Sequence, residues 1–273
     1  MRATFSLNCK VRVDTFAQCH NVIRSKKLRF LILSDIHANL HALNAVLADS
    51  QDEYDAILCC GDLVGYGPMP NETVVWSKSN LKAAVRGNHD KVSVGLDDAE
   101  GYNVVASASL HWTAGILTEA NKSYLREMPR GPVEHDGLWL MHGSPIDEDL
   151  YLLHECDAIG MDQYLPGPVN FFGHTHRQGG FAYFRGSLHV IPQVPESDKH
   201  LILALDPMAA YLINPGSVGQ PRDGDWRAAY AIFSTEDKLL TFHRTEYNVE
   251  AAAAAIRGAG LPELLAKRLF LGK

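Results

Sequence analysis

Apolar residues in this chain come in short runs that stop abruptly at polar, chemically active residues. Phe30-Leu31-Ile32-Leu33 gives way to Ser34-Asp35-Ile36-His37. Ala56–Cys60 halts at Gly61-Asp62, and Lys82–Val85 at Arg86-Gly87-Asn88-His89-Asp90. Leu138–Met141 ends in His142-Gly143-Ser144-Pro145, and Val169–Phe172 in Gly173-His174-Thr175-His176. Short continuous apolar runs bounded by turn formers read as buried strands. Between them Leu40, Leu43, Val46 and Leu47 recur at helical spacing, and Asn71–Lys78 reads as a short helix. Residues 98–128 read as helical, with one apolar face through Ala106, Leu110, Thr113, Leu117 and Leu125; residues 147–164 read as helical in part.

The texture changes near Gly180. Gly180–Arg185, Leu188–Ile191, His200–Leu205 and Tyr211–Ile213 are short β-like segments parted by Gly, Pro and Asp. Ala228–Ser234 and Leu239–Thr245 read as a hairpin around Thr235-Glu236-Asp237, and helices over Val249–Gly258 and Leu261–Leu269 close the chain. An alternating βα half followed by a β-rich half with terminal helices predicts an α/β fold of two packed mixed β-sheets flanked by helices, in a single domain over residues 29–273.

Composition refines this only a little. The chain has 273 residues, 46% hydrophobic and 21% charged, which is ordinary for a soluble globular protein. It holds no apolar stretch of about 18 residues, so no transmembrane helix and no membrane partner are expected. The net charge is −7, unevenly spread: residues 1–28 hold six Lys or Arg against one Asp, leaving an acidic body that makes nucleic acid an unfavoured partner. The basic stretch 1–28 lacks the apolar core of a secretory signal and is expected to be a poorly ordered N-terminal extension, a transit peptide being the other reading. The five cysteines have no zinc-finger or redox spacing, and Cys59 and Cys60 lie inside an apolar run as small core residues. That usage suggests a reducing compartment, most simply the cytoplasm.

The polar residues at the strand ends carry the chemistry. Asp35 and His37, Asp62, Asn88 and His89, His142, and His174 and His176 are all metal-ligand types. In Asp-x-His and His-x-His, extended backbone would put both side chains on one face, where they can share an ion. Carboxylate, imidazole and amide donors together suit borderline divalent metals such as Mn, Fe, Co, Ni or Zn, with Mn the expected first choice. Any one of these motifs alone is an ordinary turn acid or loop histidine; five in succession, each directly after an apolar run, are not readily placed by chance.

Taken as a set, Asp35-x-His37, Gly61-Asp62, Gly87-Asn88-His89-Asp90, His142-Gly143 and Gly173-His174-x-His176 resemble the motifs of calcineurin-like metallophosphoesterases. The resemblance covers residues 29–245. Ser34–Leu40, Gly61–Pro68 and Asn214–Arg222 are more narrowly similar to a bacterial and archaeal branch of small phosphodiesterases and diadenosine-tetraphosphatase-like enzymes. Ala38 departs from that branch, which often has Gly there. The resemblance implies an αββα sandwich and two metals: Asp35, His37 and His176 on the first, Asn88, His142 and His174 on the second, with Asp62 bridging. It implies a water activated between the two cations and in-line attack on phosphorus. His89, left without a metal, would stabilise developing charge or protonate the leaving oxygen, and Asp90 would orient it.

Weaker candidates for substrate contact are Asn39 at a helix start, and Tyr66, Arg177 and Arg222 near motif residues in sequence. His41 reads as surface. The leading function is a dinuclear-metal phosphoesterase hydrolysing a phosphodiester or phosphoanhydride of a small phosphorylated molecule or nucleotide. The alternatives are a catalytically silent interaction protein on the same fold and a nuclease. Oligomeric state is not legible in the sequence.

Overall fold

The computed structural model describes residues 28–273. The readings made for the basic N-terminal stretch lie outside the described residues, apart from Leu28 at the edge of the first strand. Twelve strands form two six-stranded sheets that pack face to face with helices outside, as the pattern predicted.

The first sheet is built from β1 (Arg29–Leu33), β2 (Ala56–Cys59), β3 (Leu81–Ala84), β9 (His200–Ala204), β11 (Ala228–Ser234) and β12 (Leu239–Thr245), in the order β3-β2-β1-β11-β12-β9. The second contains β4 (Val133–His135), β5 (Leu138–Leu140), β6 (Val169–Phe171), β7 (Gly179–Phe184), β8 (Ser187–Ile191) and β10 (Ala210–Asn214), in the order β4-β5-β6-β10-β7-β8. β1, β2 and β3 run parallel, as do β5, β6 and β10. The strands that carry the motifs therefore end in two parallel sets, and the side-chain contacts described below show that the two sets of tips meet.

Alternation along the strands divides the core. Phe30, Ile32, Leu58 and Cys60 face the second sheet and meet Leu140, Phe171 and Phe233 between the layers. Leu31, Leu33, Ile57 and Cys59 face outward, under α1 (Leu40–Asp49), α7 (Val249–Gly258) and α8 (Glu263–Leu269). The adjacent cysteines thus serve opposite faces, as period-2 geometry requires. Both are completely buried, with no disulfide.

Three differences from the sequence reading have clear causes. The helix expected over 98–128 is two helices, α4 (Val104–Ile116) and α5 (Glu119–Glu127), because Asn103 and Thr118 each cap a new start with their side-chain oxygens. Residues 98–103 form a loop instead. Within 147–164 only α6 (Glu155–Ala158) and a 3₁₀ turn at Met161–Tyr164 are helical. β4 escaped notice because three residues including Glu134 and His135 show no apolar run. α2 (Pro70–Asn80) contains the predicted short helix. Among the described residues no helix is long and apolar enough to cross a membrane.

Candidate metal centre

The strand-end residues converge as the spacing suggested, but through different backbone geometry. The expected extended Asp-x-His and His-x-His are absent. Asp35, His37, Asp62, His174 and His176 instead adopt left-handed backbone, with φ between 49° and 65°. Such conformations cost non-glycine residues roughly 1–2 kcal/mol each and persist only when surrounding contacts hold them. Here backbone hydrogen bonds tie the tips together: Asp35 N–H donates to Gly61 O (3.0 Å), His37 N–H to Asp62 O (3.0 Å), and Gly173 N–H to His142 O (2.8 Å). Gly87 permits a close approach, since a Cβ there would lie 2.1 Å from Asp62 Oδ1.

Two groups of donor atoms result. Asp35, His37, Asp62 and His176 present atoms within 4.8 Å of one another, and so do Asp62, His142 and His174. Asp62 belongs to both. Asn88 joins the second group, its Oδ1 3.0 Å from His142 Nε2. All seven residues are buried.

Each imidazole is oriented by a backbone carbonyl behind it. Nδ1 of His37 donates to Val64 O (3.0 Å), Nδ1 of His142 to Cys60 O (2.8 Å) and Nδ1 of His176 to Gln220 O (2.6 Å). His174 is reversed: its Nε2 donates to Asp149 O (3.0 Å), which turns Nδ1 inward to within 3.1 Å of His142 Nε2. Fixing the outer nitrogen as the N–H leaves the inner nitrogen with a lone pair for a metal.

The electrostatics fit cations. Burial keeps His37 and His176 well below the ordinary imidazole range, so both are neutral. Their inner Nε2 atoms nonetheless face each other at 3.0 Å. Two acceptors at that distance repel unless something positive lies beside them. Asp35 Oδ2 is buried with no hydrogen-bond partner, and burial raises this carboxyl to about 7. In the second group burial opposes charge on His142, but the Asp62 carboxylate more than offsets it and lifts the imidazole to about 10. Asn88 Oδ1, His174 Nδ1 and Asp62 Oδ2 (3.5 Å) surround His142 Nε2, so a proton there occupies ground a divalent ion would take. A hard-to-borderline divalent cation fits this O/N donor set in both groups.

A cavity of about 450 Å³ opens over the centre, lined among others by Asn88, His89, His174, Tyr66, Tyr102, Tyr151 and Arg222. His89 is buried at its floor; its backbone N–H donates to Asp62 Oδ1 (2.8 Å), while its Nδ1 has no partner. Burial pulls this imidazole down to about 4. At neutral pH it is an uncharged ring with an N–H to give rather than a cation.

Asp90 does not orient His89. Its two oxygens accept from Gly87 N–H (2.9 Å) and Val64 N–H (3.1 Å), fastening the start of α3 (Asn88–Ser93) to the loop after β2. The Gly87-Asn88-His89-Asp90 stretch is thus a helix start, not a plain turn. Asn39 is likewise occupied, capping α1 through Ala42 N–H (3.2 Å) and donating to Gly219 O (2.9 Å); it does not face the cavity. Arg177 is exposed and lines a separate cavity with Leu152, His154 and Gln193. Tyr66 and Arg222 do reach the site. Tyr66 packs against His89 and His37, with ring centroids 4.3 and 4.6 Å apart, and its hydroxyl accepts from Arg222 (3.2 Å).

Sequence reasoning missed Tyr102, Tyr151, Asp149 and Arg268. The Tyr102 hydroxyl accepts from Asn88 Nδ2 at 2.6 Å, which aims Oδ1 at the centre. Tyr151 stacks on His174 at 3.8 Å. Asp149 supplies the carbonyl behind His174, on a loop pinned by an Asp149–Lys91 ion pair and by Arg86 with both oxygens of Glu148 (3.0 and 2.9 Å). No motif surrounds these residues; the only cue was the aromatic and acidic loop composition.

Two packed mixed sheets with buried carboxylate, imidazole and amide donors at their joined strand tips define a metallophosphoesterase-type fold. Residues 28–238 match the calcineurin-like phosphoesterase superfamily domain, and the chain belongs to that family. It is 34% identical over 256 residues to the uncharacterized protein MJ0912 of Methanocaldococcus jannaschii, covering 90% of this chain and 99% of that one. A metallophosphoesterase from Sphaerobacter thermophilus is similar in structure, with a TM-score of 0.78 and 36% identity over 91% of this chain and all of that one (100%). The hypothetical protein PH1004 of Pyrococcus horikoshii shares the fold, with a TM-score of 0.71 at 19% identity over 90% of this chain and 98% of that one.

Proposed function

We propose that this chain is a phosphoesterase that binds two divalent metal ions and hydrolyses a phosphodiester or phosphoanhydride bond in a small phosphorylated substrate. The observation that carries the reading is that one buried carboxylate, Asp62, belongs to both donor groups. A shared anion is what two neighbouring cations need to offset their repulsion. Asp35, His37 and His176 would hold one ion and Asn88, His142 and His174 the other, manganese being the favoured metal. Such ions supply Lewis acidity toward phosphoryl oxygens and a water acidified near neutral pH.

The chain's own residues supply the rest. The carbonyls of Val64, Cys60, Gln220 and Asp149 keep four imidazoles in the tautomer that points a lone pair inward. His89, neutral and half-freed of partners at the cavity floor, gives its N–H to a phosphoryl or leaving-group oxygen. Tyr66 holds that ring in place. A cavity of about 450 Å³ is the size of a small-molecule site. Asp97, Asp98 and Glu100 among its lining residues would repel a nucleic-acid backbone, which favours a small substrate over a nuclease role.

The test is hydrolysis by Mn-loaded protein of a phosphomonoester, a phosphodiester and a dinucleoside polyphosphate, side by side. The reading expects metal-dependent turnover of at least one. Stoichiometric metal with no turnover of any would overturn it in favour of a binding scaffold on the same fold.

A further inference from the structure

The charge lining the cavity is unevenly partnered. Among the described residues most buried or half-buried arginines face a carboxylate, as Arg86 does with Glu148, Arg227 with Asp225, and Arg244 with Asp223. The two arginines that line the cavity over the centre, Arg222 and Arg268, have no side-chain carboxylate partner among the described residues. They come from distant places, Arg222 from the loop after β10 and Arg268 from the last turn of α8.

Arg222 is held by neutral groups. Its Nη2 donates to Tyr66 Oη (3.2 Å) and to Gln220 Oε1 (3.0 Å), and its Nε is buried without a partner. Its guanidinium carbon is 5.5 Å from the Tyr66 ring centroid. Arg268 donates through Nε to the backbone oxygen of Lys273 (2.5 Å). Burial, and then the nearby Arg222 charge, lower its affinity for its proton. Such an arrangement is unfavourable in the free protein and becomes favourable when an anion docks.

Tyr66 ties this pair to the centre. Its ring packs on His37 and His89, and its hydroxyl touches Arg222. Arg222 is therefore one aromatic side chain away from the donor groups of the centre, and Arg268 lines the same cavity. The cavity's acidic lining, Asp97, Asp98 and Glu100, lies on the loop after α3 and offers an anion nothing. We infer that Arg222 and Arg268 form a subsite for a second phosphate, so that the substrate carries one phosphate at the centre and another beyond Tyr66. This rests on the phosphoesterase reading above and narrows its substrate class to compounds with at least two phosphate groups.

The test uses fructose 6-phosphate and fructose 1,6-bisphosphate as probes, titrated calorimetrically into Mn-loaded protein carrying His89→Ala to suppress turnover. The inference expects the bisphosphate to bind at least about tenfold more tightly, the scale of one charge-assisted contact. Arg268→Gln should bring the two affinities to within about twofold, with the monophosphate affinity and metal content unchanged, and Arg268→Lys should restore part of the preference. A preference that survives Arg268→Gln, or equal losses for both probes, would overturn the subsite. Equal binding of the two probes without the Arg268 substitution would overturn the subsite alone. Failure of both probes to bind metal-loaded protein would likewise overturn the subsite, whereas the phosphoesterase reading falls separately, on absence of metal-dependent turnover in the hydrolysis test above.

Discussion

Tyr102→Phe isolates the second donor group without touching a ligand. The Tyr102 hydroxyl accepts from Asn88 Nδ2 at 2.6 Å, and that bond decides which end of the amide faces His142, 3.0 Å away. With the hydroxyl gone, only His142 and the ion itself distinguish the two amide orientations. A buried hydrogen bond of this kind is worth about 1–1.5 kcal/mol net, which converts to roughly five- to tenfold in affinity. The ring remains and keeps its edge-to-face contact with His89, at 5.8 Å, so the cavity keeps its shape. Equilibrium dialysis against Mn²⁺ with elemental analysis should show one binding midpoint shifted by about that factor and the other unmoved. Equal shifts of both midpoints, or no shift, would refute the claim that Asn88 serves only one of two sites and is oriented by Tyr102.

Three further outcomes follow from the same geometry. His89→Ala should keep full metal content while kcat falls by about 10²–10⁴, checked by elemental analysis beside steady-state kinetics; intact activity would remove His89 from the mechanism. Ala38→Gly should stabilise the protein by about 0.5–1 kcal/mol in urea unfolding, because Ala38 holds a left-handed φ of 51° that glycine adopts without steric cost. His243 is stacked on Tyr230 and pushed by burial down to about 4, below its ordinary value. The unfolded chain therefore binds the extra proton first: the contribution to stability is full above about pH 6.5 and is lost as pH falls toward 4, by up to about 3 kcal/mol. His243→Phe should flatten that part of the stability-versus-pH curve relative to wild type.

The central strands were legible because they are buried on both faces, and apolar runs such as Phe30–Leu33 and Ala56–Cys60 leave little ambiguity. The ligand set was legible for a related reason: a strand tip fixes position, so an Asp or His directly after such a run has few places to go. What the pattern hid was backbone handedness. Ala38, where the similar branch often has glycine, holds a positive φ of 51° that no sequence pattern reveals. Asp90 and Asn39 looked chemical because polar residues beside a motif do, yet both serve helix starts, a role indistinguishable in sequence from phosphate contact. Arg177 follows His176 directly but lines a different cavity. Arg268, some ninety residues on, lines the cavity over the centre, since α8 folds back over it. Long-range contacts of that kind leave no local periodicity to detect.

The two-ion centre turns on Asp62, which both donor groups share. Wild-type protein dialysed against Mn²⁺ should retain two ions per chain. Asp62→Asn should weaken both sites together, since the amide keeps the shape but loses the charge that offsets repulsion between the cations. Loss of one ion with the other held at wild-type affinity would contradict a shared carboxylate, and with it the two-ion centre proposed here.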